Sequence, residues 1–311
     1  MKGEGIVPPE LRDPMRRAVR LEYWNIGFTI SIVIVMGLVL GNSQTMKTAW
    51  VEDTLGLIPP IVFLVAIHFE KKGATRDFPF GFDRVHGLAF LIAAVALAAV
   101  GALLLWDSAS TLIAREHATV ASIRLFGRDI WLGWLMLAAQ VYSIVPPLII
   151  GLKEMPLARE MQDEVLFTDA KMNKANWQTG AAGLAGIIGL GLGWWWADSL
   201  AAAFISVGII LDGWRALRIA AAELADGVPR ALGSTGPDPE AELLVETLEK
   251  QYPGADIRLR ETGRYIRAEV SGVDPDARLN LRALWPGEPK RSWRLAQLAF
   301  VPPGEKDEAA A

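Results

Sequence analysis

The chain has 311 residues, 52% of them hydrophobic, with a mean hydropathy of +0.28 and a formal net charge of −4. That charge gives no footing for nucleic-acid binding, and the absence of cysteine excludes disulfides and thiolate metal sites. Charged residues are scarce over long segments and gather in the last quarter of the chain, the pattern of a membrane domain followed by a soluble one.

Crossing a bilayer core as a helix takes about twenty mostly apolar residues. Six stretches qualify: Tyr23–Leu40, Ala49–Phe69, His86–Trp106, Ile130–Leu152, Met172–Trp196 and Ala197–Leu217. Lys and Arg cluster on one side of these spans. They include Arg12, Arg16, Arg17 and Arg20 before the first span and Lys71, Lys72, Arg76 and Arg84 between the second and third. Lys153, Arg159 and Lys171 lie between the fourth and fifth, Lys174 at the start of the fifth, and Arg215 and Arg218 at the end of the sixth. The opposite side carries only Lys47, Arg115, Arg124 and Arg128. The positive-inside rule makes the richer side cytoplasmic, with both termini there, in a pattern that suits a bacterial inner membrane. Trp194, Trp195 and Trp196 read as an outer interfacial belt. Gly189 and Gly193 have the GxxxG spacing that permits close helix contact, within a chain or between chains.

From about Gly227 the pattern changes. "PEAELLVETLEKQY" has a helical apolar period, with Leu243, Leu244, Thr247 and Leu248 on one face. "ADIRLRETGRYIRAEVSG" reads as two alternating strands about a turn, and "RLAQLAFV" as a third strand. The expected organisation is a cytoplasmic N-terminal segment (1–22), a six-helix transmembrane domain (23–226), a small cytoplasmic α+β domain (227–303) and a disordered end (304–311).

Acids inside spans are costly and usually mark function. On the second span Glu52 and Asp53 share a helix face with Ala49 and Gly56; on the fifth, Asp169, Met172, Asn173 and Asn176 share another. If the two stripes meet, carboxylate and amide oxygens and one thioether converge, a donor set for a hard or borderline divalent cation. Simpler readings stand beside this one. Glu52 and Asp53 would also serve as helix N-terminal caps, Asp169 as a solvated cap or a partner of Lys171 and Lys174, Asn173 and Asn176 as interhelical hydrogen-bonding groups, and Met172 as packing.

At these residues the sequence resembles the cation diffusion facilitator family of divalent-metal/proton antiporters, over most of its length. "NSQTMKTAWVEDTLGLIPP" is similar to the opening of that family's second helix. "FPFGFDRVHGLAFL" is similar to the element before the third, "FTDAKMNKANWQTG" to the fifth, and "WWWADSLAAAFISVGIILDGWRALRIAAAELAD" to the sixth. The resemblance implies six transmembrane helices with a ferredoxin-like cytoplasmic domain and a site with two ligands each from helices two and five. Here Asp53 matches the first acid, Leu57 replaces the second, and Met172 and Asn176 stand where His or Asp, and Asp, are usual. Glu52, Asn173 and Asp169 compensate from the same stripes. A tetrahedral His-containing zinc site is hard to build from these residues, and the remaining oxygens lean toward Mn, Fe, Co or Mg over Zn.

Further departures are Phe78 and Phe82 in place of loop histidines, His86 in place of a Glu, and a tail without histidine. The resemblance also implies a homodimer, with Arg84 and Asp226 at the positions of its charge pair. The expected substrate is therefore a divalent metal ion exchanged for protons across the lipid bilayer, with no permanently bound cofactor, no enzymatic chemistry and no nucleic-acid partner. The alternatives are another ion or small solute on the same scaffold, or a dimerising homologue that transports nothing.

Overall fold

The structure is a computed structural model and describes residues 7–70, 72, 75–82, 84–116, 120–125, 128–273 and 279–301. The expected disordered end therefore lies outside the described residues, as does His117. The first part of the chain forms α1 (Arg12–Val39), α2 (Gln44–Leu55), α3 (Ile58–Glu70), α4 (Val85–Ile113), α5 (Leu132–Met161), α6 (Glu164–Gly191) and α7 (Trp195–Leu224). Backbone polar groups have no partner in lipid except each other, so apolar runs of this length fold as helices.

α2 and α3 are two halves of one pass. Pro59 and Pro60 have no N–H, so the carbonyls of Leu55 and Gly56 lose their helical donors and the pass breaks at Gly56 and Leu57. Among the described residues, five elements are long and apolar enough to cross a membrane: Pro9–Val39, Gln44–Glu70, Gly87–Ile113, Leu132–Met161 and Ala197–Leu224. α6 is as long, at 28 residues, but its polar stripe dilutes the apolar run and it is not among the five. Several helices continue two to three turns beyond the apolar stretches, α1 starting at Arg12 and α5 ending at Met161. Between α4 and α5 lies a hairpin the sequence did not suggest, β1 (Ser122–Leu125) paired antiparallel with β2 (Arg128–Trp131), so Ile130 belongs to a strand.

The helices form an antiparallel bundle in which α4 packs on α7, and α5 on α6 and α1. Small residues set the spacing. A Cβ on Gly151 of α5 would come 2.7 Å from the Ala170 carbonyl and 2.8 Å from the Lys174 nitrogen of α6. One on Gly186 would come 2.7 Å from both Thr45 and Ala201. Gly189 approaches Ala197 of α7 inside the same chain, whereas Gly193 sits in the α6–α7 turn at φ +86°, so the two do not form one contact stripe.

Asp198 fixes α2 in this bundle. It is fully buried in the first turn of α7. Its Oδ1 accepts from Ser43 Oγ at 2.6 Å and from Thr45 N at 3.2 Å, and its Oδ2 accepts from Gln44 N at 2.6 Å. Thr45 Oγ1 returns a bond to the Asp198 carbonyl at 2.7 Å. A carboxylate thus sits on the positive pole of α2 and satisfies N–H groups that helix geometry leaves free.

The tail holds α8 (Pro239–Gln251) and a three-stranded sheet of β3 (Asp256–Thr262), β4 (Tyr265–Ser271) and β5 (Leu295–Val301). β3 and β4 pair antiparallel, β4 and β5 parallel. The buried face of α8 is Ala241, Leu244 and Leu248; of the expected face Leu244 and Leu248 are buried, Thr247 is half-buried and Leu243 is exposed. Arg294 is buried among Asp238 (2.6 Å), Glu240 (2.9 Å) and Glu261 (3.8 Å), tying α8 to β3.

The tail is seated on one end of the bundle. Arg264, in the β3–β4 turn, donates to Asp163 at 2.9 Å and to Glu70 at 3.3 Å, and Tyr265 Oη donates to Glu70 at 2.9 Å. Gly263 N donates to Glu223 at 2.9 Å. Trp293 enters the core made by Leu11, Phe63, Phe90, Met161 and Ile219.

Two outcomes are expected. Asp198→Ala orphans three buried donors and lowers bundle stability by about 3 kcal/mol, while Asp198→Asn, whose amide oxygen still accepts, costs less; thermal melting in detergent measures both, and an Ala variant as stable as the parent refutes the role. In the tail, burial pushes the Glu261 carboxyl up to about 7 against the pull of Arg294. The folded tail then holds this proton where the unfolded chain has lost it, so its stability falls as pH rises from about 4.5 towards 7. Glu261→Gln flattens that slope in hydrogen-exchange protection of β3 and β4.

Candidate functional site

Glu52 and Asp53 lie in the last turn of α2. Ser43 is the N-terminal cap, its Oγ accepting from Met46 N at 3.1 Å, so the acids do not act as caps. They sit at the negative pole of the helix, where a carboxylate is unfavourable. The carbonyls of Leu55 and Gly56, whose helical donors the two prolines remove, follow directly. Asp53 Oδ2 is buried without a hydrogen-bond partner among the described residues. Asp53 adjoins Glu52 in the chain, and α2 packs against α6 and α7. The break therefore collects negative potential from two side chains and the backbone, an arrangement complementary to a cation. Leu57, at the place of a second ligand, falls within the break.

The stripe on α6 divides. Met172 packs on the apolar cluster of Leu97, Leu104, Ile205 and Ile209 from α4 and α7, on which Val51 and Leu55 of α2 also pack. Asn176 donates its Nδ2 to the Ser143 carbonyl of α5 at 3.0 Å, and Thr179 Oγ1 donates to the Asn176 carbonyl at 2.9 Å. Asp169 and Asn173 point elsewhere, toward α1 and α5. Asp169 is 2% exposed, and its Oδ2 accepts from Asn25 Nδ2 at 2.8 Å and from Asn173 Nδ2 at 3.1 Å. It is neither a solvated cap nor a partner of Lys171 or Lys174, both of which are exposed.

Asp169 meets two acids that the sequence reading passed over. Glu22 of α1 and Glu154 of α5 are both fully buried, and one carboxylate oxygen from each lies within 4.8 Å of the others and of Asp169. The α5–α6 turn makes this possible. Gln162 takes a left-handed conformation (φ 49°) and Asp163 caps α6 at once, laying the end of α5 beside the start of α6. Glu22 and Glu154 lie just outside the apolar stretches Tyr23–Leu40 and Ile130–Leu152, which were cut at the first charge. Following the helical period through "RLEYWN" and "GLKEMPLA" would have put both on inward faces.

Arg84 and Asp226 are hydrogen-bonded to each other within one chain, and Arg260 approaches Asp226 at 3.7 Å. Phe82 packs against Phe78 (4.8 Å between ring centres) and Phe69 (5.5 Å) where the family resemblance places histidines. His68 is exposed, and His86 lies in the first turn of α4.

Two curated proteins of Bacillus subtilis (strain 168) are similar to this chain. The manganese efflux system protein MneS is 21% identical over 197 residues, a match spanning 63% of this chain and 63% of MneS, less than two thirds of that relative. The uncharacterized transporter YdbO is 22% identical over 252 residues, 80% of this chain and 81% of its own. The cation efflux transmembrane domain matches residues 24–225, which takes in the broken second pass, the α6 stripe and Asp198. With well over half its length matched, this integral membrane protein belongs to the cation efflux family of transporters, the cation diffusion facilitators.

Proposed function

We propose that the protein is a divalent metal cation/proton antiporter that exports its substrate from the cytoplasm across a bacterial inner membrane. The observation that carries this reading is the placement of Glu52 and Asp53 in the C-terminal turn of a broken pass facing α6. Around them Asn176 and Thr179 supply neutral oxygens, and Met172 supplies the apolar wall or a thioether ligand. Asp169 and Asn173 belong to the same polar track, nearer the tail.

An all-oxygen set favours a hard or borderline ion, and manganese is the ion named for the relative MneS. In the inward state the cation displaces protons from Glu52 and Asp53, since adjacent carboxylates in a low dielectric do not readily both ionise without it. In the outward state protons displace the cation, and the proton gradient drives the cycle. The reading takes α6 as the sixth membrane span alongside the five apolar ones, puts the tail and both termini in the cytoplasm, and treats the tail as ferredoxin-like. It pairs two chains with Arg84 and Asp226 at the join.

The test is Mn2+-driven proton flux in proteoliposomes. Glu52→Gln with Asp53→Asn is expected to cut flux at least about tenfold, the scale on which metal sites respond to lost partners. Flux unchanged in that double variant removes the site assignment. No cation-coupled flux in the parent protein favours a carrier of another solute or a non-transporting homologue.

A further inference from the structure

We infer that Glu22, Glu154 and Asp169 form a second divalent-cation site, separate from Glu52 and Asp53, at the end of the bundle that carries the tail. Three observations converge. The trio comes from three helices, α1, α5 and α6, and is buried throughout, with one oxygen of each residue within 4.8 Å of the other two. Two oxygens bound to one ion at about 2.1–2.6 Å stand no more than about 4–5 Å apart, so little movement closes the site.

Secondly, both oxygens of Glu22 and Oε1 of Glu154 are buried without any hydrogen-bond partner among the described residues. Buried polar atoms are rarely left so, and a bound ion is one of the standard reasons. Thirdly, no described Lys or Arg pairs with any of the three. Three carboxyls this close and this buried cannot all carry charge unless a cation sits among them.

The neighbours suit that role. Asn25 and Asn173 both donate to Asp169 Oδ2, and Asn173 also approaches Glu154 Oε2 at 3.4 Å. These amides orient two of the acids and leave the oxygens of Glu22 and Glu154 Oε1 for the ion. The absence of tail-end His or Cys among the ligands makes the site oxygen-only, chemistry for a hard divalent cation such as Mn2+, Mg2+ or Ca2+. Asp169 and Asn176 are seven residues apart on α6, about 10 Å of helix rise, so the two sites stand in series along one element. The inference borrows from the proposed function only the class of cation.

Mn2+ binding to the full-length protein in detergent, followed by electron paramagnetic resonance and equilibrium dialysis, tests it. The parent is expected to bind two ions per chain, Glu52→Gln/Asp53→Asn one, and Glu22→Gln/Glu154→Gln one, with the affinity of the lost site reduced at least tenfold. Two ions retained by Glu22→Gln/Glu154→Gln overturn the inference and leave the transport site standing. Two ions retained by Glu52→Gln/Asp53→Asn, with one lost from Glu22→Gln/Glu154→Gln, support it and sink the transport site instead. Should the glutamine pair fail to fold, the Glu52→Gln/Asp53→Asn protein decides alone: Mn2+ raises its melting midpoint if the trio binds, and an unmoved midpoint overturns the inference.

Discussion

The geometry of the molecule depends on how its second pass is fastened and where it is broken. At one end Asp198 of α7 takes two backbone N–H groups and the Ser43 hydroxyl of α2, which locks the helix in depth and rotation. At the other, Pro59 and Pro60 deprive Leu55 and Gly56 of their donors and end the helix just past Glu52 and Asp53. A buried carboxylate on the positive pole and two acids at the negative pole are opposite electrostatic situations on one 12-residue helix. The first is satisfied by protein alone. The second is complementary to something positive, and the family supplies a reason for it to be there.

The tail end is built on the same contrast between satisfied and unsatisfied acids. Asp163 and Glu70 meet Arg264 and are neutralised within the protein, which seats the β3–β4 turn against α3 and the start of α6. Among the described residues Asp169, one and a half turns further along α6, meets Glu22, Glu154 and two amides. Both groups lie near the short α5–α6 turn, and Gly151 lets the two helices approach closely enough for Asn173 to reach Glu154. A rigid seat for the tail and an acid cluster without a counter-charge are thus neighbours.

Much of this was legible from residue order. The long apolar runs, the basic bias between them, the strand alternation at Ile257, Leu259, Ile266 and Val270, and the family motifs around Ser43, Asp53 and Asp198 all correspond to elements of the fold. Helix ends were read too short, because hydropathy stops at the first charge while a helix does not; that is why Glu22 and Glu154 escaped notice. The β1–β2 hairpin was missed because its strands are four residues each, and the α8 face was misjudged at Leu243, which is apolar yet exposed.

Sequence by itself determined that the chain is a membrane bundle with a small α+β tail, and that Glu52 and Asp53 sit in a span where acids are expensive. Local chemistry suffices for this, since apolar length, charge bias and strand period are properties of short windows. Only the tertiary structure decided which acids meet. Helical spacing put Asp169, Met172, Asn173 and Asn176 on one face, but that face is wide enough to touch three neighbours. Packing sent Met172 to the apolar cluster of α4 and α7, Asn176 to the Ser143 carbonyl of α5, and Asp169 to Glu154 and to Glu22, 147 positions earlier in the chain. Convergence of residues so distant along the chain is set by how whole helices pack, and no window of sequence contains it.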